Sequence, residues 1–219
     1  MILPTAGVNR SNNMNPARTG VVPAVCRAVI GVTVLVAVGV QFAALTPQAN
    51  FQPANFFSYF TNLTNIFAAL VFMYVALTFG KSSRGLDVVR GAATLCLGLT
   101  GVVFSLLLAN VESDIIPWVN VIVHYVMPVA VVADWIIDPP HRRLTLRDAG
   151  FWLIIPLAYV IYTLVRGSIV HWYPYPFLNV DAIGSATVGV YVAAIFVFTV
   201  MFAALVLVTG NALQARRSA

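Results

Sequence analysis

Charge is scarce in this sequence. Seven acidic and 12 basic side chains among 219 residues leave 9% of the chain charged, where soluble domains carry roughly a quarter. With 60% hydrophobic residues and a mean hydropathy of +0.91, that scarcity excludes an ordinary soluble domain. Cysteine is nearly absent too. Cys26 and Cys96 have no CxxC spacing and fall at or within apolar segments, which argues against a disulfide framework or a thiolate metal site and leaves them as small core or lipid-facing residues. There is no metal-ligand cluster, glycine-rich phosphate loop or cofactor signature, so no metal and no cofactor are expected. The formal charge of +5 would suit a nucleic-acid binder. The Lys and Arg residues, however, sit in short clusters between apolar runs, where membrane topology accounts for them and no nucleic-acid partner is needed.

What the sequence does have is long apolar runs. Residues 1–20 are polar, rich in Asn, Pro and Gly, and carry Arg10 and Arg18, as in a disordered tail. The first run, Val21 to Leu45, is long enough to cross a bilayer with tilt. It far exceeds the apolar core of about 7–15 residues in a cleaved signal peptide. After a linker over 46–53, further runs cover 55–79, 88–109, 117–137, 149–164 and 185–208. Six spans predict an all-α integral membrane bundle, with one domain over 21–210 and a short basic tail over 211–219. Sorting the basic residues by alternate sides puts Arg10, Arg18, Arg27, Lys81, Arg84, Arg90, Arg142, Arg143, Arg147, Arg216 and Arg217 on one side and Arg166 alone on the other. Both termini are therefore expected in the cytoplasm.

Two of the spans carry polar stripes. Thr61, Thr64 and Asn65, three and four residues apart, share one helical face at the start of the second span. With that span beginning near Asn55, Thr61 lies roughly 9 Å below its start. The fourth span enters from the same side at Pro117, which puts His124 roughly 10 Å down, with Asn120 one turn above it. Pro128 removes the hydrogen bond to the His124 carbonyl and predicts a kinked or opened helix there. Irregular backbone at membrane depth is tolerated where it is buried in protein or lines a cavity, so the histidine is expected to face an internal pocket. Asp134, about 15 Å of helix away, is too far to partner it. The stripes also have a structural reading, in which these groups bond to their own helix or to a neighbouring one.

A proline-stiffened loop, His171 to Leu178, precedes the last span on the side where Thr61 and His124 are shallowest. It is placed to roof a pocket with Tyr175 and Phe177. Arg166 and the carboxylates Glu112, Asp114 and Asp181 on that side would contact a head group or orient a histidine. The segment Phe57-Ser58-Tyr59-Phe60-Thr61, the pair His124 and Pro128, and the Tyr-Pro-Phe-Leu run from Tyr175 resemble the androgen-induced protein family. Its animal members are multipass hydrolases of fatty acid esters of hydroxy fatty acids, with a threonine nucleophile and a histidine. The resemblance runs in order from the second span through the sixth. It implies Thr61 as nucleophile, His124 as base and a lipid ester as substrate. The compact chain looks like a bacterial branch, for which a bacterial plasma membrane is the expected location.

That chemistry is coherent. A threonine hydroxyl attacks an ester only if a base accepts its proton, and a neutral imidazole within reach does so. Asn62, Asn65 or Asn120 would donate to the oxyanion, with Thr64 as polar support. Arg166 would hold a free carboxylate on the substrate. Two other classes remain open: a transporter or lipid-binding protein that uses the stripe for recognition, and a bundle held by interhelical hydrogen bonds.

Overall fold

The computed structural model describes residues 20–79 and 83–218. The expected N-terminal tail, except Gly20, and Lys81 lie outside the described residues. Helix α1 spans Val21–Leu45, α2 Pro53–Phe56, α3 Phe60–Leu77 and α4 Arg84–Val103, which runs on through a π-helical turn at Phe104–Leu108. The next span joins α5, Pro117–Val121, through a second π-helical turn at Ile122–Val126, to α6, Met127–Ile137. Helix α7 covers Leu146–Val170, and after a 3-10 turn at Pro176–Leu178 comes α8, Val180–Ser218. Six of these stretches are long and apolar enough to cross a bilayer. The all-α, six-span architecture read from the apolar runs is the one observed, and the chain is a multipass membrane protein.

Boundaries differ where proline or polar side chains intervene. Pro53 opens α2 as a separate turn, and the chain bends at Phe57–Tyr59 before α3 starts. Ser58 pins the bend: its hydroxyl donates to Ala54 O at 2.6 Å, and its carbonyl accepts from Tyr159 of α7 at 2.9 Å. Helix α7 starts at Leu146 rather than 149 because Thr145 and Asp148 form a capping box, which satisfies two backbone donors at once. Helix α8 continues to Ser218, so residues assigned to a tail are helical. There Asn211 clasps Leu144, accepting from its N–H and donating to its carbonyl, each at 2.9 Å.

Helix α4 is the axis of the bundle. Residues 91–100 are all buried, and the small side chains of Ala92, Ala93 and Thr94, with glycine at 91 and 98, let neighbouring helices close on every side. Val34, Ala68, Phe72, Leu97 and Met127 pack on one flank, and Leu95, Trp135, Trp152 and Val206 on the other. The indole N–H groups of Trp135 and Trp152 donate to Val206 O and Val88 O, which removes the cost of burying them.

One end of the bundle, where α1 begins and α8 ends, is held by ions. Arg27 donates to Asp134 and Asp138 at 2.6 Å each, Arg90 to Asp134 at 2.8 Å, and Arg217 to Asp138 at 3.2 Å. Arg27 and Arg90 are only 4% and 5% exposed, so these charges are tolerated through their pairing. Asp134 is committed here, in keeping with its expected separation from His124. The opposite end carries the segments 46–59, 109–116 and 171–179, and the polar stripes meet beneath them.

Candidate active site

Thr61 is the second residue of α3, not six residues inside a helix as the run beginning near 55 suggested. It is nevertheless buried, at 7% exposure, because Tyr175 from the loop between α7 and α8 covers it. Thr61 Oγ1 lies 3.3 Å from His124 Nε2. On the far side of the ring, His124 Nδ1 is 2.5 Å from Asn120 Oδ1. An amide oxygen only accepts, so it assigns the ring proton to Nδ1 and leaves the Nε2 lone pair facing the threonine. The Phe104 ring stacks on the imidazole, with centroids 3.7 Å apart and planes 11° from parallel, which fixes the ring's tilt.

The histidine sits in the π-helical turn Ile122–Val126. The expected disturbance at Pro128 is there, but its register differs from the simple expectation. The Met127 N–H bonds to Ile122 O, one residue further back than in an α-helix. Val123 O thereby loses its α-helical partner, and the π-helical alternative would be Pro128, which has no N–H. Asn65 fills the gap: its Nδ2 donates to Val123 O at 3.0 Å and to Thr61 O at 2.9 Å. Asn65 thus ties the strand of backbone carrying Thr61 to the turn carrying His124. Gly101 of α4 allows the close approach behind this turn, since a Cβ there would lie 3.0 Å from Pro128 Cβ.

Tyr175 completes the cluster. Its hydroxyl accepts from Thr61 N–H at 3.2 Å and lies 3.4 Å from Thr61 Oγ1. Burial pushes the phenol above its ordinary pKa, so it retains its proton and can donate. Phe177 stacks on Tyr175 with centroids 5.3 Å apart.

The other residues singled out in the sequence divide. Asn62 Nδ2 donates one N–H to Phe56 O at 2.8 Å, and Asn65 Nδ2 donates both of its own to the two carbonyls. Asn65 is thereby corrected from oxyanion donor to support, while Asn62 lines the second cavity and Asn120 turns its Oδ1 to the histidine. Thr64 donates to Phe60 O at 2.8 Å, the back-bond of a structural threonine. Arg166 donates to Asn55 Oδ1 at 2.6 Å and lies over Trp172. Asp181 pairs with His171 at the exposed surface. Neither Arg166 nor Asp181 lines the cavities at Thr61, because both side chains are held by partners outside them. Phe104 had no signal in the sequence, being one apolar residue in an apolar run.

Two cavities meet at Thr61. The deeper, about 410 Å³, lies among α3, α4, α7 and α8 and is lined almost wholly by apolar groups. Its polar members apart from Thr61 and Tyr175 are occupied: Thr100, Tyr159 and Thr199 donate to Cys96 O, Ser58 O and Ile195 O. Leu157, Gly189, Ala193 and Phe196 of its wall, on α7 and α8, are exposed. The second, about 360 Å³, opens toward the segment 111–115 and contains Gln41, Asn62, Glu112, Asp114 and His124. Thr61, Phe104, Leu108 and Tyr175 line both.

The family model of the FAR-17a/AIG1-like proteins matches residues 94–211. The chain belongs to that family. The match with the FAR-17a/AIG1-like family includes Phe104, Asn120, His124 and Tyr175, while Thr61 lies before it. No curated protein and no solved structure matches the chain.

Proposed function

We propose that this protein is an intramembrane carboxylic-ester hydrolase acting on lipids, with Thr61 as nucleophile and His124 as general base. The observation that carries the reading is the ordered chain Asn120–His124–Thr61, in which a ring nitrogen with a free lone pair faces a buried hydroxyl. A lipid-binding protein or a transporter would use the apolar chamber but has no need of a histidine oriented in this way. A purely structural threonine would bond back to its own helix, as Thr64 does.

In the first step the Thr61 hydroxyl proton passes to His124 Nε2 as Oγ1 bonds to the ester carbonyl carbon. The carbonyl electron pair moves onto oxygen, where the Tyr175 hydroxyl donates to it. Collapse breaks the bond to the alcohol oxygen, which takes the proton back from Nε2 and leaves. Water then attacks the acyl-threonine with the same base, releasing the fatty acid and restoring Thr61. The 3.3 Å Thr61–His124 separation is within the looser range expected before substrate binds.

Labelling the detergent-solubilised protein with a fluorophosphonate, followed by mapping of the adduct, tests this assignment. The adduct is expected on Thr61, with Thr61→Ser keeping part of the ester hydrolysis and Thr61→Ala losing both labelling and activity. An adduct elsewhere, or full activity in Thr61→Ala, would overturn it.

A further inference from the structure

We infer that the ester cleaved at Thr61 is made of an apolar acyl chain and an alcohol half that carries no negative charge. This rests on the hydrolase reading and narrows its substrate. The two cavities differ in what they can accept. The deep chamber offers an acyl chain apolar walls, and its inner hydroxyls are already bonded to backbone carbonyls. A polar or charged alcohol turned into it would lose its hydration without replacement. The acyl chain therefore occupies the deep chamber, and the alcohol half points into the second cavity.

That second cavity carries charge of one sign. Glu112 and Asp114 line it, both exposed, together with the neutral Gln41, Asn62 and Ser113, and among the described residues no Arg or Lys lines it. Among the described residues no Arg or Lys lines the deep chamber either. Gln41 supplies no counter-charge: it is neutral and tied to the loop backbone, its Nε2 donating to Asp114 O at 3.0 Å while its oxygen accepts from Ile116 N–H at 2.9 Å. Arg166, the cation expected from the sequence to hold a substrate carboxylate, is engaged with Asn55 and borders a separate groove on α7. An alcohol half ending in a carboxylate would thus meet two carboxylates and no counter-charge, whereas a hydroxylated or cationic one would be accepted. The mouth selects by repulsion.

The test uses the full-length protein and three esters with the same acyl chain, whose alcohol halves end in a carboxylate, a hydroxyl or a quaternary ammonium. kcat/KM is expected to rise in that order, with about tenfold between the extremes at low salt. The spread should narrow at high ionic strength and in the double variant Glu112→Gln, Asp114→Asn. Only the ratio between esters is read, so a change in overall rate in the variant does not enter. If the variant fails to fold, the salt dependence of the ratio in the unaltered protein decides. A carboxylate ester cleaved best, or a ratio that salt leaves unmoved, overturns the inference while the hydrolase reading stands. Failure to cleave any of the three in a Thr61-dependent way is a separate outcome and removes the hydrolase reading itself.

Discussion

Tyr175 holds its proton because burial raises its phenol above the ordinary tyrosine pKa, and that hydroxyl lies beside both the N–H and Oγ1 of Thr61. Tyr175→Phe keeps the ring and removes the donor, so kcat for ester hydrolysis should fall by about 10²-fold with little change in KM. A loss confined to KM would reassign the residue to binding. The same protonation predicts that titration of Tyr175 adds no alkaline loss of activity below about pH 10. The approach of Thr61 to His124 was legible in the sequence because hydrogen-bonding groups stand out in apolar runs, although the depth given to Thr61 assumed a helix start that the bend before α3 removes; Asn120 was singled out as an oxyanion donor, whereas its Oδ1 holds the histidine. The Tyr175 contact was not legible, since an aromatic residue at a membrane boundary reads equally as an interface anchor. Arg166 was misleading for a similar reason: its isolation in sequence gave no hint that Asn55 holds it.

At the scale of elements, the π-helical turn at Ile122–Val126 gives the span one residue more per turn than an α-helix. Reversion to α geometry would rotate α5 against α6 by about 100°. Pro128→Ala supplies the missing N–H and permits that reversion. The expected result is unchanged or higher thermal stability with a fall in kcat of at least about tenfold, as His124 turns away from Thr61. Circular dichroism melts and ester kinetics on the same preparation check both halves, and unchanged kcat would detach the turn from catalysis. The converse change, Asn65→Ala, strips the Val123 carbonyl of its partner and should cost about 1–3 kcal/mol of stability. The six spans were readable because length and hydropathy alone decide them. Three details were hidden in the sequence: the break before α3, the capped start of α7 and the π register. Each depends on particular hydrogen bonds rather than on composition.

For the molecule as a whole, the site and the ion network occupy opposite ends of the bundle. Burial alone would raise the Asp138 carboxyl, but Arg90, Arg27 and Arg217 outweigh it and hold it below the usual carboxylate range. A depressed folded-state value means that its contribution is complete above the unfolded pKa of about 3.9 and is lost as pH falls through the folded one. Asp138→Asn should therefore lower stability at neutral pH by about 3 kcal/mol and flatten the acid decline, read from melting temperatures across pH 2–7. With Arg27 and Arg90 buried in that network, the orientation signal rests on residues such as Arg84, Arg142, Arg143 and Arg147. We propose that they place the network end in the cytoplasm. Ser83→Cys, in a background lacking Cys26, should then be labelled by an impermeant maleimide only after the cytoplasmic side is opened; labelling of intact cells would reverse the topology. The exposed wall of the deep chamber on α7 and α8 has a consequence for how rate must be counted. A substrate that enters there arrives from a two-dimensional solution, so its effective concentration is a mole fraction in the bilayer. Adding inert phospholipid at constant total ester should slow turnover in proportion, and enlarging the aqueous volume should leave it unchanged.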